Sequence, residues 1–216
     1  MSLRLNGQFL LAGAIGSIIW SLLIFLIPGP EGPTGIGSIP TNVVFVLSGL
    51  FLLVGLPALY RAQAKQMGIL GLVGVVLLWV ATVLLFLVLS GVQILDLTAP
   101  GSIPHPGGEG PPPLAIIPLI LGVMLTLIGG VIVGITTIRA HVFAAAIGWI
   151  VLVSPVLLLL RAPVGGLLGV ILTSICLGLF YAGLAWAGAT MCSINRHSTG
   201  FRGKPPQVSE SSVQRG

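Results

Sequence analysis

Six stretches of the chain carry no Asp, Glu, Lys, Arg or His, and each is about as long as a membrane is thick. They are Phe9–Ile27, Val43–Tyr60, Ile69–Val92, Leu114–Ile138, Val142–Leu160 and Val164–Thr190. A helix needs about 20 apolar residues to cross a hydrocarbon core of roughly 30 Å. Charged residues make up 6% of the 216, against roughly 25% in a soluble domain. So little charge cannot cover a water-facing surface. The 56% hydrophobic content excludes disorder for the bulk of the chain. Membrane strands alternate apolar and polar residues, whereas these runs are apolar all round. The expected fold class is therefore all-α, an integral membrane bundle of six transmembrane helices. It fills residues 1–190 and is followed by a disordered cytoplasmic tail, 191–216. The first run follows Arg4 as a signal peptide would, but its 19 apolar residues exceed the usual 7–15. No small-x-small cleavage site follows it, so a retained helix is expected.

The distribution of charge gives an orientation. If the N terminus lies in the cytoplasm and six spans alternate, the inner segments hold Arg4, Arg61, Lys65, Arg139, Arg196, Arg202, Lys204 and Arg215. The outer loops then hold one basic residue, Arg161, together with the acids Glu31, Asp96 and Glu109. Short cytoplasmic loops collect Lys and Arg, so N-in/C-in is expected. The same bias accounts for the net charge of +5. No basic stripe is interleaved with aromatics, and nucleic acid is not an expected partner.

The inner connections Arg61–Gly68 and Arg139–His141 are short, and short connections make antiparallel neighbours. The second and third spans are expected to pair as one hairpin and the fourth and fifth as another. Each hairpin carries an Arg-Ala pair, Arg61-Ala62 and Arg139-Ala140, as an old duplication would leave. The outer segments Pro28–Asn42 and Gln93–Pro113 are longer and rich in Gly and Pro. The run from 104 to 113 reads as a stiff, exposed spacer rather than a docking peptide.

Lipid offers no hydrophobic drive between helices, so close approach through small residues supplies the contact. The packing candidates are Gly13 and Gly16 in the first span, Gly71 and Gly74 in the third and Gly130 and Gly134 in the fourth. Gly165, Gly169 and Gly183 are those of the sixth. Gly68 opens the row that Gly71 and Gly74 continue. Contacts within the chain are the expected use of these positions; a homo-oligomer face or a ligand groove is the alternative. Pro57, Pro118 and Pro155 fall inside spans, where proline removes a backbone hydrogen bond. Ser154 is expected to serve the carbonyl that Pro155 frees, and Pro118 to sit harmlessly in a first helical turn. Trp20, Trp79 and Trp149 lie deep in their runs, where an indole N–H needs an acceptor.

Catalytic signals are scarce. The spans contain no ionisable group for a proton or ion path and no histidine pair for haem. Their serines lack an intramembrane base. His105 and Glu109 in the outer loop are too few for a metal site. Cys176 and Cys192, 16 residues apart, suggest neither a disulfide nor zinc ligation. No cofactor is expected.

The segment Gly55-Leu-Pro-Ala-Leu-Tyr-Arg61 followed by Gly68-Ile-Leu-Gly-Leu-Val-Gly74 has a familiar pattern. So do Thr137-Ile-Arg-Ala140 before Ile147-Gly-Trp-Ile150, and Gly183-Leu-Ala-Trp-Ala-Gly188. Over roughly residues 43–196 the chain resembles a broad group of uncharacterised bacterial six-helix multi-pass membrane proteins. It departs from that group's pattern at Phe143-Ala-Ala-Ala146, where Pro, Arg and an aromatic are common. The resemblance implies a bacterial cytoplasmic (inner) membrane protein and brings no activity with it. The expected function is a non-enzymatic multi-pass protein, a scaffold or accessory subunit. Its partners are the lipid bilayer and a membrane-protein partner or a second copy. The alternatives are a transporter or channel for a small neutral or apolar solute, and an enzyme on lipid or quinone using Asp96, His105 or Glu109.

Overall fold

The computed structural model describes residues 3–26, 39–99, 113–160 and 166–200. All regular structure among them is helical: α1 (Leu3–Leu26), α2 (Ile39–Thr82), a π-helical turn (Val83–Val88), α3 (Leu89–Thr98), α4 (Pro113–Ala140), α5 (Ala145–Leu160) and α6 (Gly166–Gly200). Hydrocarbon supplies no partner for a backbone N–H or C=O, and the helix pairs both within itself. Four helical stretches among the described residues are long and apolar enough to cross a membrane. They are Arg4–Ile24, Pro40–Val92, Ala115–Ala140 and Ile171–Ser193, with a shorter apolar helix at Ala145–Leu159.

The second of these stretches doubles back on itself. Gly68 lies at φ 60°, ψ −158°, a region essentially reserved for glycine. In a straight helix Leu53 and Trp79 would stand about 39 Å apart, at 1.5 Å per residue. Here the Trp79 indole N–H donates to the Leu53 carbonyl at 3.1 Å, and Phe45 stacks on Phe86 with centroids 4.1 Å apart. The two limbs of α2 are therefore antiparallel, hinged at one residue. The α4–α5 reversal takes four non-helical residues, 141–144, and also opens on a positive φ, His141 at 51°. These two residues are the only ones at positive φ among those described, one in each hairpin.

The helices close a ring. α1 packs on α2 and on α6, α2 on α4, α4 on α5, and α5 on α6. Inside lie Leu10, Leu52, Leu56, Leu59, Leu78, Phe86, Val133, Ile147, Val151, Tyr181 and Leu184. Outside stand Leu22, Ile69, Ile117, Trp149 and Leu168, all exposed, as lipid-facing side chains are. The antiparallel register gathers Arg4, Arg61, Lys65 and Arg139 at one end. The Cys192 thiol at that end lies 3.8 Å from the Arg4 carbonyl.

Several local expectations change. Residues 61–67, expected as a loop, stay helical up to the hinge, because Gly68 alone makes the turn. Helix continues past Val92 through Thr98, and α6 runs on to Gly200 into the expected disordered tail. Pro118 sits in the second turn of α4, which begins at Pro113. The rest of the tail, 201–216, most of both outer loops, Arg161 and Gly165 lie outside the described residues.

A side chain at the hinge should strain the hairpin. Gly68→Ala is expected to lower stability by about 1–3 kcal/mol. His141→Gly relieves a left-handed L-residue and should gain about 0.5–1 kcal/mol net of its own entropy cost. Denaturant unfolding in detergent micelles checks both, and equal effects of the two would contradict the shared role of the turns.

Candidate functional site

The π-helical turn Val83–Val88 interrupts an otherwise α-helical limb near the middle of the ring. The Leu89 N–H closes this wide turn on the Leu84 carbonyl. Such turns displace a side chain from its helical register and recur at functional sites. The buried residue of this turn is Phe86, the largest fully buried side chain among the described residues. It stacks on Phe45 and meets Tyr181 edge-on, with centroids 6.2 Å apart and rings at 80°. Trp20 continues the column against Phe45 at 4.4 Å, and Phe180 continues it against Tyr181 at 5.5 Å. Gly49 makes the stack feasible, because a Cβ there would overlap the Phe86 ring. The column thus ties α1, the first limb of α2, the π-helical turn and α6 together through aromatic contacts.

Beside it lies a small cavity of about 20 Å³, lined by Leu52, Leu56, Leu78, Thr82, Leu85, Phe86, Thr126, Phe180, Tyr181 and Leu184. One water needs roughly 10–15 Å³ and two to four polar partners. Tyr181, Thr82 and Thr126 can supply them, so the cavity is of a size for a single water. The two threonine hydroxyls already donate along their own helices, Thr82 to the Leu78 carbonyl at 2.7 Å and Thr126 to that of Gly122 at 2.8 Å. Their oxygens can still accept.

Most hydroxyls in the bundle behave likewise. Ser17, Ser21, Ser48, Thr136, Ser154 and Thr173 each donate to the carbonyl one turn back. Ser154 therefore serves Ile150 at 2.5 Å, while the carbonyl that Pro155 leaves free is that of Val151. That expectation is corrected by one residue.

The amides are different. Gln63 is 0% exposed, yet neither its Oε1 nor its Nε2 has a hydrogen-bond partner. Asn6 Oδ1, Asn42 Nδ2 and Ser90 Oγ are also buried and unpartnered. An unmade buried hydrogen bond costs about 1–3 kcal/mol. Register puts Asn6 and Gln63 at the basic end of the ring, since Leu10 packs against Gly55 and the chains run antiparallel. Asn42 and Ser90 lie at the other end, beyond Phe45 and Phe86. Sequence reading overlooked these residues because it sought ionisable groups. Spacing held the signal: Gln63 continues the buried stripe of Leu52, Leu56, Leu59 and Met67, all at helical intervals of three or four.

The glycine candidates are placed as follows. A Cβ on Gly13 would meet the Leu52 N at 2.7 Å, and one on Gly16 would overlap the Ser48 hydroxyl. Gly74 faces Ile132 at 2.7 Å, Gly130 faces Pro155 at 2.8 Å, Gly134 faces the Leu152 N at 2.8 Å, and Gly183 faces Val151 at 2.9 Å. Gly71 abuts Met67 of its own hairpin rather than another helix. Gly169 is buried. Other glycine contacts escaped the sequence reading. Gly55 abuts the Leu10 backbone, and Gly129, Gly148 and Gly188 meet the carbonyls of Gly74 (3.0 Å), Gly134 (3.0 Å) and Gly7 (2.9 Å).

Pro57 cannot donate to the carbonyl four residues back, and that carbonyl is Leu53's. The Trp79 indole fills the gap from the other limb, so a proline and a tryptophan form one hydrogen-bonding unit. Trp149, by contrast, is 56% exposed on the outer wall. Among the described residues no three His, Cys, Asp or Glu side chains lie together to hold a metal, and Cys176 and Cys192 are both free thiols. His105 and Glu109 lie outside the described residues, as does the side chain of Asp96 on α3.

Two experiments follow. Trp79→Phe should cost about 1 kcal/mol, as intramembrane hydrogen bonds do. In a Pro57→Ala background the new N–H serves Leu53, and the same change should cost markedly less; additive losses would break the proposed unit. Gly134→Leu should lose about 1–3 kcal/mol through overpacking. Gly178→Leu, with nothing within 4 Å of its Cβ position, should stay within about 0.5 kcal/mol; thermal unfolding in detergent separates them.

Comparison with known proteins finds no matching family model, no similar curated protein and no similar solved structure.

Proposed function

We propose that the chain is a six-span, N-in/C-in protein of a bacterial cytoplasmic membrane, acting as a non-enzymatic scaffold or accessory subunit. Counting the limbs of α2 separately gives six crossings, and the end that carries Arg4, Arg61, Lys65 and Arg139 then faces the cytoplasm. The observation that carries the reading is the construction of the ring. Each pair of neighbouring helices includes a glycine that admits its neighbour, stacked aromatics fill the interior, and the wall is apolar. Such a body presents a fixed surface to neighbours in the bilayer. The test is gentle extraction from the native membrane followed by native mass spectrometry. A stoichiometric protein partner or a defined homo-oligomer is expected. A monomer with no partner, also in chemically cross-linked membranes, would overturn the scaffold reading.

A second reading, passage of a small neutral solute, is supported by the unpartnered amides and hydroxyl. They stand inside the ring at both ends, uncharged, with the aromatic column between them. Gln63→Leu distinguishes the two. If Gln63 lacks a partner in the working protein, the substitution should raise stability by about 1–3 kcal/mol and leave partner binding intact. If the amide contacts a solute, flux of that solute into proteoliposomes should fall.

A further inference from the structure

The reversal at Gly68 leaves an open groove between the two limbs of α2. It measures about 270 Å³ and is lined by Pro57, Tyr60, Arg61, Leu72, Val76 and Trp79, with Val75 at its floor. From Leu72 to Trp79 it runs about 10 Å along the helix, at 1.5 Å per residue. Its walls are apolar except at one end. There Arg61 lines the groove, and Lys65, one turn further along the same face, is exposed beside it. Tyr60, an amphipathic residue of the kind that favours the headgroup level, stands at the same end.

A second groove of similar size, about 300 Å³, lies between α1 and α6. Ile18, Ser21, Leu22, Ile171, Ser174 and Ile175 line it, with Gly178 at its base, and it holds no charge. Hydrocarbon fits either groove; an anion fits only the first. Basic pockets between helices on the cytoplasmic side are known settings for anionic headgroups.

We propose that the groove between the limbs of α2 is a binding site for an anionic phospholipid of the bilayer. The acyl chain lies along Leu72, Val76 and Trp79, and the phosphate is held by Arg61 and Lys65. Arginine suits the inner position, since its planar fork meets phosphate oxygens two at a time. Trp79 gives the chain a fixed wall because its indole is tethered to the Leu53 carbonyl.

The test uses the full chain in nanodiscs of equal phosphatidylglycerol and phosphatidylcholine, with retained lipid read by native mass spectrometry. Wild-type protein should retain phosphatidylglycerol in preference. Arg61→Gln and Lys65→Gln should each cut that preference about fivefold, the expected weight of one basic side chain near an anionic surface. Arg139→Gln, at the same end but outside the groove, should leave it unchanged. Val76→Trp, which fills an exposed wall position, should reduce retention of both lipids. Equal retention of the two lipids by wild type would overturn the site. So would a loss in Arg139→Gln as large as in Arg61→Gln, which would mean diffuse charge. An unchanged ratio in both the Arg61 and Lys65 variants would overturn it as well.

Discussion

The ring depends on a backbone reversal made at a single residue. Gly68 turns α2 through a conformation that an L side chain resists, with no intervening loop to hydrate. One limb can then lie against α1 while the other lies against α4. Without the reversal, Phe45 and Phe86 could not stack, and the indole of Trp79 could not reach the carbonyl that Pro57 leaves unserved. The central column and the wall groove both derive from this turn. Between α4 and α5 the chain reverses over the four residues 141–144, with His141 at positive φ at their start.

Much of this architecture was legible in the sequence. Apolar runs without charge dictated helices, and the short stretches around Arg61 and Arg139 dictated hairpins. What escaped was local. The glycine row from Gly68 to Gly74 read as one packing face, yet its members do three different things. Gly68 turns the chain, Gly71 makes room for Met67, and Gly74 admits α4. Spacing alone cannot separate these uses, because all three require only the absence of a Cβ. Likewise Ser154 beside Pro155 suggested a serviced carbonyl, but the hydroxyl reaches Ile150 rather than Val151. A serine in a helix bonds one full turn back from itself, not from its neighbour.

The polar interior follows one division of labour. Most serines and threonines satisfy themselves along their own helices, Ser90 being the exception. Asparagine and glutamine are too long and too richly equipped to do the same. Gln63 brings donors and an acceptor into a stripe that is otherwise Leu and Met. A search for ionisable groups passes over such a residue because it is uncharged, and hydropathy averages dilute it among its neighbours. The buried stripe identifies it only when the helix is read by face rather than by segment.

The contact between α1 and α6 has a consequence for assembly. Gly7 and Gly188 admit each other's backbone, so this seam joins α1 to α6, the two described helices farthest apart in sequence. During synthesis α1 enters the bilayer long before its neighbour exists. Until α6 arrives, the flank of α1 that it will cover faces lipid or the insertion machinery. The circle is completed by α6, and a chain halted before it leaves the membrane with an open arc whose two free edges are α1 and α5.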